Sequence, residues 1–486
     1  MTYQEQVCQW EQTVSSHLPQ LSTPQVRVLA CWSFALVLLK SVGMTQVSVC
    51  LALMLGGKVG AWRQKLREWC YEAADKKGEQ RAQLEVAMCF APLLAWMVSW
   101  WQAREPQLVL VVDASARGAH LTLLSVSVVY RRGAMAVAWH LLPTGAAGAW
   151  EPMWEQMLAQ LAPAIPAQWQ VLVMADRGLY SRHLSEAIRK LGWHPFLRLN
   201  LQGTAKQAGR DDYQPLRSFI PADGTVWSGR GSCFQSERRL SETTRLSVHV
   251  PGYPDSWVVV TDLEPQQSLL AWYAMRLWIE VGFKQGKRGG WQWQHSKMTD
   301  PRRVERYCLV MAVATLDTVS QGEFGEAELA DSHLEALPPT HIARRQAKGR
   351  PRRALLSQFT LGRLWLMRTI VEQEPLQVGS FAPSRFPAGL AHLPASSSSA
   401  QATEEEPGAT PTLATAASRP PEAGRSKEGE EKPTRVKGSP PLQAISWSCH
   451  PERSEGSPHQ PWSCSLPFFT QVSPVGIDRL DQGHLL

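Results

Sequence analysis

The chain has 486 residues, 44% of them apolar, which is enough for a buried core spread over roughly two to four domains and excludes a chain disordered throughout. A formal charge of +7 leans towards a polyanionic partner. The nine cysteines include no Cys-x-x-Cys, and five lie in the first ninety residues, mostly inside apolar segments, so they read as small core residues of a reduced, cytoplasmic protein and not as a disulfide framework or a zinc site.

The N-terminus lacks the pattern of a secretory signal. Residues 1–100 read as helical. Ser22-Thr23-Pro24 is a start signal, with proline in the first turn, for a helix running to about Lys40. Ser41-Val42-Gly43 breaks it. A second helix covers 44–55 and ends at Gly56-Gly57, and a third covers 58–73 and carries Lys58, Arg63, Lys65 and Arg67. This is the outline of a helix-turn-helix DNA reader, and equally of a three-helix bundle with a basic outer face. The apolar runs 28–39 and 86–101 are too short to span a bilayer, the second also being interrupted by Pro92, so both are expected as buried helices and no membrane partner is expected.

From Gln107 the periodicity changes. Segment 107–113 is a near-continuous apolar run suited to a central strand, followed by strands at 120–130 and 134–142, a helix at 149–161, a strand at 169–176, a helix at 182–191 and a strand at 193–199. The order β-β-β-α-β-α-β predicts a mixed α/β sheet flanked by helices. Asp113 and Asp176 are each expected to close a central strand. They can meet if those strands are neighbours, although an aspartate at a strand end is also an ordinary turn former. Residues 203–264 are polar and glycine-rich and read as a small β insertion.

In 269–293, Tyr273, Arg276, Glu280 and Lys287 follow at spacings of 3, 4 and 7. On one helix they fall within a stripe roughly 60° wide, with Lys284 beside it. Two readings stay open: an internal Arg276–Glu280 pair, or Glu280 holding a metal while Tyr273, Arg276 and Lys287 grip phosphates along about 21 Å of helix. A helix over 301–319 follows Asp300. The stretch 344–353 packs six basic residues, with Arg350 at the centre of a Gly-Arg-Pro suited to a minor groove or to phosphates. A last amphipathic helix covers 359–374, and beyond about residue 381 the composition is that of a disordered tail.

Tyr273-x2-Arg276-x3-Glu280-x6-Lys287 resembles the signature of the insertion-sequence-4 transposases, and Asp113 and Asp176-Arg177-Gly178 resemble that family's two other acidic motifs, with Ala114 where the family often has threonine. The resemblance covers roughly residues 20–370. It implies an RNase H-like core and a layout of 1–104 helical and DNA-binding, 105–202 and 265–320 catalytic core, 203–264 β insertion, 321–380 basic and helical, and 381–486 tail. It implies a cut-and-paste DNA transposase of a bacterial insertion sequence, binding terminal inverted repeats and target DNA as a homodimer at the nucleoid. The alternative is a catalytically inactive, transposase-derived DNA-binding protein. Asp113, Asp176 and Glu280 would hold two Mg2+ ions, with Mn2+ as a substitute. Tyr273, Arg276, Lys284 and Lys287 would hold the transposon end, Arg63, Arg67 and Arg350 would contact DNA, and a flipped base would stack on a tryptophan such as Trp227 or Trp257.

Overall fold

The computed structural model describes residues 1–76, 82–102, 106–117, 119–146, 150–249, 255–327 and 356–382. The basic stretch around Arg350, and the expected tail from 383 on, lie outside the described residues.

Helix α1 (Tyr3–His17) starts on a reciprocal cap in which Thr2 Oγ1 accepts from Glu5 N (3.2 Å) and Glu5 accepts from Thr2 N (2.7 Å). The next three are α2 (Thr23–Leu39), α3 (Met44–Leu55) and α4 (Val59–Trp69). The third of these, the basic one, is shorter than the 58–73 expected. Its end is fixed by Arg306, which donates to the Cys70 carbonyl at 3.0 Å and so satisfies one of the acceptors a helix end leaves open. The run 86–101 forms a 3-10 turn and then α5 (Phe90–Ser99). No single helix among the described residues is long and apolar enough to cross a membrane.

Strands β1 (Gln107–Arg117), β2 (Leu121–Tyr130) and β3 (Gly133–Pro143) precede α6 (Glu151–Leu161), β4 (Gln170–Ala175), α7 (Arg182–Lys190) and β5 (His194–Arg198). This is the order read from the sequence. β6 (Thr204–Gln207), β7 (Gln214–Pro215), β8 (Trp227–Cys233), β9 (Leu240–Val248) and β10 (Trp257–Thr261) then join the same ten-stranded sheet, ordered β3-β2-β1-β4-β5-β10-β9-β8-β6-β7. The first five positions form an RNase H-like sheet, with β1 antiparallel to β2 and parallel to β4, and β4 parallel to β5. The strands of the 203–264 segment extend this sheet through the antiparallel pair β5–β10.

β1 is buried on both faces, which is why it reads as an unbroken apolar run. Leu108, Leu110 and Val112 share a core with α2, α5 and α6, while Val109 and Val111 pack with Leu270, Trp272, Met275 and Ile279. The two-residue period therefore aims Asp113 at the 270–286 side.

That segment is not the single helix expected from 269–293. Leu270–Leu277 is a 3-10 helix, α8 covers Trp278–Gly286, and Lys287 leaves the helix. Lys287 departs because of the glycine-rich turn that follows. The amides of Gly289 and Trp291 fold back onto the carbonyls of Lys284 (2.9 Å) and Gln285 (2.8 Å), and a Cβ on Gly290 would stand 2.1 Å from Gln285 O. Helix α9 (Pro301–Ala327) runs past the expected end at 319, and α10 (Gln358–Val371) packs on it.

Gly282 lets α8 approach β3 closely: a Cβ there would lie 2.7 Å from the Ala134 carbonyl oxygen, whereas one on Gly286 would meet nothing within 4 Å. Gly282→Ala is expected to destabilise the fold by about 1–3 kcal/mol, and Gly286→Ala to be neutral or to stabilise it by up to about 1 kcal/mol. Urea unfolding of both variants measures the difference, and equal effects would show that the α8–β3 contact does not depend on a bare glycine.

Candidate active site

The parallel register of β1 and β4 pairs Val112 with Ala175, so the next positions along the two strands are Asp113 and Asp176. Asp176 follows the last residue of β4. Asp113 does not close its strand, contrary to the sequence reading, because β1 stays paired with β2 as far as Arg117 opposite Leu121. The two carboxylates meet all the same, since β4 ends where β1 goes on.

Arg276 lies between them. Its Nη2 contacts Asp113 Oδ2 at 2.6 Å and Asp176 Oδ2 at 3.6 Å, and its Nη1 contacts Glu280 Oε1 at 3.7 Å. One buried guanidinium thus serves three carboxylates. The internal Arg276–Glu280 pair left open by the sequence is present, as the weakest of three contacts. Tyr273, three residues before Arg276 on the 3-10 segment, donates its hydroxyl to the Ala175 carbonyl (3.1 Å) and to Asp176 Oδ1 (3.3 Å). Lys287 reaches β1, donating to Ser115 Oγ at 2.9 Å and the Ala116 carbonyl at 3.3 Å.

Lys284 is exposed on α8, and Glu280 is half exposed. Arg63 and Arg67 stand on the exposed face of α4, where Arg67 bonds the Tyr71 hydroxyl at 2.9 Å, and neither contacts the carboxylates. Trp257 packs edge-on against Tyr273 with ring centroids 5.1 Å apart, and Trp227 packs on Phe219 at 5.2 Å.

Arg198 was missed in the sequence. Its Nη1 is 3.6 Å from Asp176 Oδ1. The signal lay in the strand alignment: β4 and β5 pair Ala175 with Leu197, which sets Arg198 opposite Asp176.

Environment drives the two aspartates apart. Burial pushes the Asp113 carboxyl up to about 6, and Arg276 and the Ala114 amide only partly oppose it. Burial acts upward on Asp176 too, but it sits at the open strand end, where Arg276, the Arg177 amide, Arg198 and Tyr273 outweigh burial and hold its pKa below the ordinary value. Arg276 shows the reverse balance, with burial outweighed by its carboxylate partners, and it stays protonated. Burial lowers the Lys287 ammonium, opposed by Glu280.

As a donor set, three carboxylates from two adjacent strands and a helix are hard oxygen ligands of the type divalent cations take, and they already share one cation. That cation is the guanidinium. Among the described residues no group of three or more His, Cys, Asp or Glu is arranged to hold a metal ion as it stands.

The raised Asp113 pKa has a consequence for stability. Between about 4 and 6 the folded chain holds a proton there that the unfolded chain has released, so stability falls as pH rises through that window, by at most about 3 kcal/mol. Asp113→Asn, which is uncharged at every pH, is expected to flatten this slope in urea unfolding run from pH 4 to 7. A slope unchanged by the substitution would assign it to another group.

Residues 142–316 match the family model described as a transposase DDE domain. The matched stretch contains Asp176 and Glu280, and Asp113 precedes it. No curated protein sequence matches the chain. Among solved structures, the piggyBac transposase synaptic complex with hairpin DNA aligns over 80% of this chain and 86% of that one, at 9% identity and a TM-score of 0.34, a likeness that does not bear on function. The chain therefore carries a transposase DDE domain, built on the strands and helix that bring Asp176, Glu280 and Arg276 together.

Proposed function

We propose that this chain is a cut-and-paste DNA transposase of a bacterial insertion sequence of the insertion-sequence-4 type, acting at the nucleoid as a homodimer on two terminal inverted repeats. The observation that carries the reading is the convergence of Asp113, Asp176 and Glu280 on a single cation, in a chain with a transposase DDE domain. The three carboxylates would hold two Mg2+ ions, or Mn2+ in their place. Bound there, the ions would supply activation of a water or a 3′-hydroxyl and stabilisation of the leaving oxygen for in-line displacement at phosphorus.

The chain's own residues do the positioning. Tyr273 fixes the orientation of Asp176 through its hydroxyl, and Ser115 and the Ala116 carbonyl hold Lys287 beside the site. Lys284 offers an exposed ammonium for a phosphate, and Arg63 and Arg67 present a basic helix face to the duplex. Arg350 is assigned to the same DNA as a further backbone contact.

A second reading is favoured by one observation: all three acids already have a guanidinium partner, as they would in a transposase-derived DNA-binding protein that has lost its chemistry. Cleavage of labelled element-end DNA with Mg2+, beside a gel shift without it, separates the two. The transposase reading expects cleavage to be abolished by Ala at Asp113, Asp176 or Glu280 while end binding survives. It expects Lys287→Ala to lose about ten- to a hundredfold in strand transfer, the worth of one charged phosphate contact. An Asp176→Ala protein cutting at the wild-type rate would end the carboxylate assignment. A wild-type chain that shifts DNA and never nicks it, with Mg2+ or Mn2+, would establish the inactive form.

A further inference from the structure

The proposed function leaves open how three carboxylates committed to a guanidinium come to hold a divalent ion. Arg276 is buried and takes Asp113 at 2.6 Å, so it stands where an inorganic cation would have to make its contact with that carboxylate. Its hydrogen bonding is incomplete: among the described residues its Nε has no acceptor. A guanidinium presents its N–H groups as a planar fork that matches a phosphate at least as well as a carboxylate. Asp176 has a second cation, Arg198 at 3.6 Å, and the Tyr273 hydroxyl, so it keeps partners if Arg276 turns away. Glu280 is half exposed and so open to solvent. Asp113 is the one that would be left buried with only the Ala114 amide at 2.9 Å, and it is the carboxylate in greatest need of a replacement cation.

We propose that Arg276 is the resident cation of this cluster in the DNA-free protein, and that a phosphate at a DNA end draws the guanidinium off the carboxylates, so that divalent-ion binding is coupled to the arrival of DNA. The proposal rests on the transposase reading above and deepens it. It makes Arg276 a positioning residue with two alternative partners. Linkage then requires reciprocity: the DNA end tightens metal binding by the factor by which metal tightens binding of the DNA end. If the guanidinium is withdrawn in about 1–10% of DNA-free molecules, the apparent metal affinity is weakened roughly ten- to a hundredfold.

The test is Mn2+ binding to the full chain, followed by electron paramagnetic resonance of the free ion and requiring no turnover. Arg276→Gln, and Arg276→Ala beside it, are expected to bind Mn2+ roughly ten- to a hundredfold more tightly than wild type without DNA, and to lose that gain when Asp113→Asn is added. The wild-type chain supplies an arm that does not depend on any variant's folding. A 5′-phosphorylated duplex carrying the element's end should tighten its Mn2+ binding, and Mn2+ should tighten the duplex by the same factor. Equal Mn2+ affinity in wild type and the Arg276 variants, or a wild-type affinity indifferent to the duplex, would overturn the exchange. In that case Mg2+-dependent cleavage by the wild-type chain, if present, would leave the transposase reading standing. No Mn2+ bound by any form, with no cleavage, would overturn both.

Discussion

A guanidinium in the protein interior needs carboxylates, and carboxylates there need a cation; at Arg276 both requirements are met by one residue. Much of the surrounding architecture serves that contact. The β1–β4 register sets two aspartates side by side, the 3-10 segment carries Arg276 to them with Tyr273 on the same edge, and α8 brings Glu280 within reach one turn later. Removing one partner from a buried pair of this kind typically costs about 3–5 kcal/mol, because the other charge stays behind. The cluster is therefore a constraint on the fold as well as a candidate centre of chemistry.

The asymmetry between the two aspartates follows from where their strands stop. β4 ends at Ala175, so Asp176 faces an open strand end and collects Arg198, Tyr273 and its neighbour's amide. β1 continues to Arg117, so Asp113 lies within a paired strand and is nearly closed off from solvent. Two residues of one type, one lattice step apart, acquire opposite tendencies to hold a proton. For a cluster that shares a cation this sets the two roles apart: the ionised form is favoured at Asp176, whereas Asp113 is sensitive to what stands beside it.

Strand order was legible in the sequence because strands buried on both faces leave long apolar runs, and 107–113 and 169–176 are such runs. The meeting of Asp113 and Asp176 was legible only as a condition, because which strands are neighbours depends on tertiary pairing. The 273–287 stripe was legible in composition but not in geometry. A helical wheel assumes one continuous α-helix, whereas here a 3-10 segment precedes α8 and the Gly289-Gly290 turn takes Lys287 off the end. Lys287 consequently reaches the site through Ser115 on β1, a residue the stripe does not contain. Glycine 282, which weakens a helix by propensity, is explained by the closeness of β3, information no local pattern carries. Arg198 became visible only once β4 and β5 were aligned.

The same turn ties the candidate site to the N-terminal helices α2 to α4, of which α4 carries the basic residues. The amide of Val42, between α2 and α3, donates to the Trp291 carbonyl at 2.9 Å, and the Val42 carbonyl accepts from the Tyr307 hydroxyl at 2.8 Å and from Trp32 Nε1 at 3.3 Å. Trp291 itself is fully buried and anchored through its ring nitrogen to Thr315 of α9 at 2.8 Å. At the far end of the trio, Trp69 of α4 donates to the Arg306 carbonyl, also on α9, at 2.9 Å. The α2–α3 turn, the end of α4 and the turn beyond Lys287 are thus all fastened to one long helix by buried hydrogen bonds, each costly to leave unmade. The distance from the exposed Arg63 and Arg67 to the carboxylate cluster is set by that frame, so a duplex lying on α4 would meet the site at a fixed offset. On the proposed reading, a phosphate arriving beside Arg276 would belong to DNA lying on a helix fastened to the same α9 as the site.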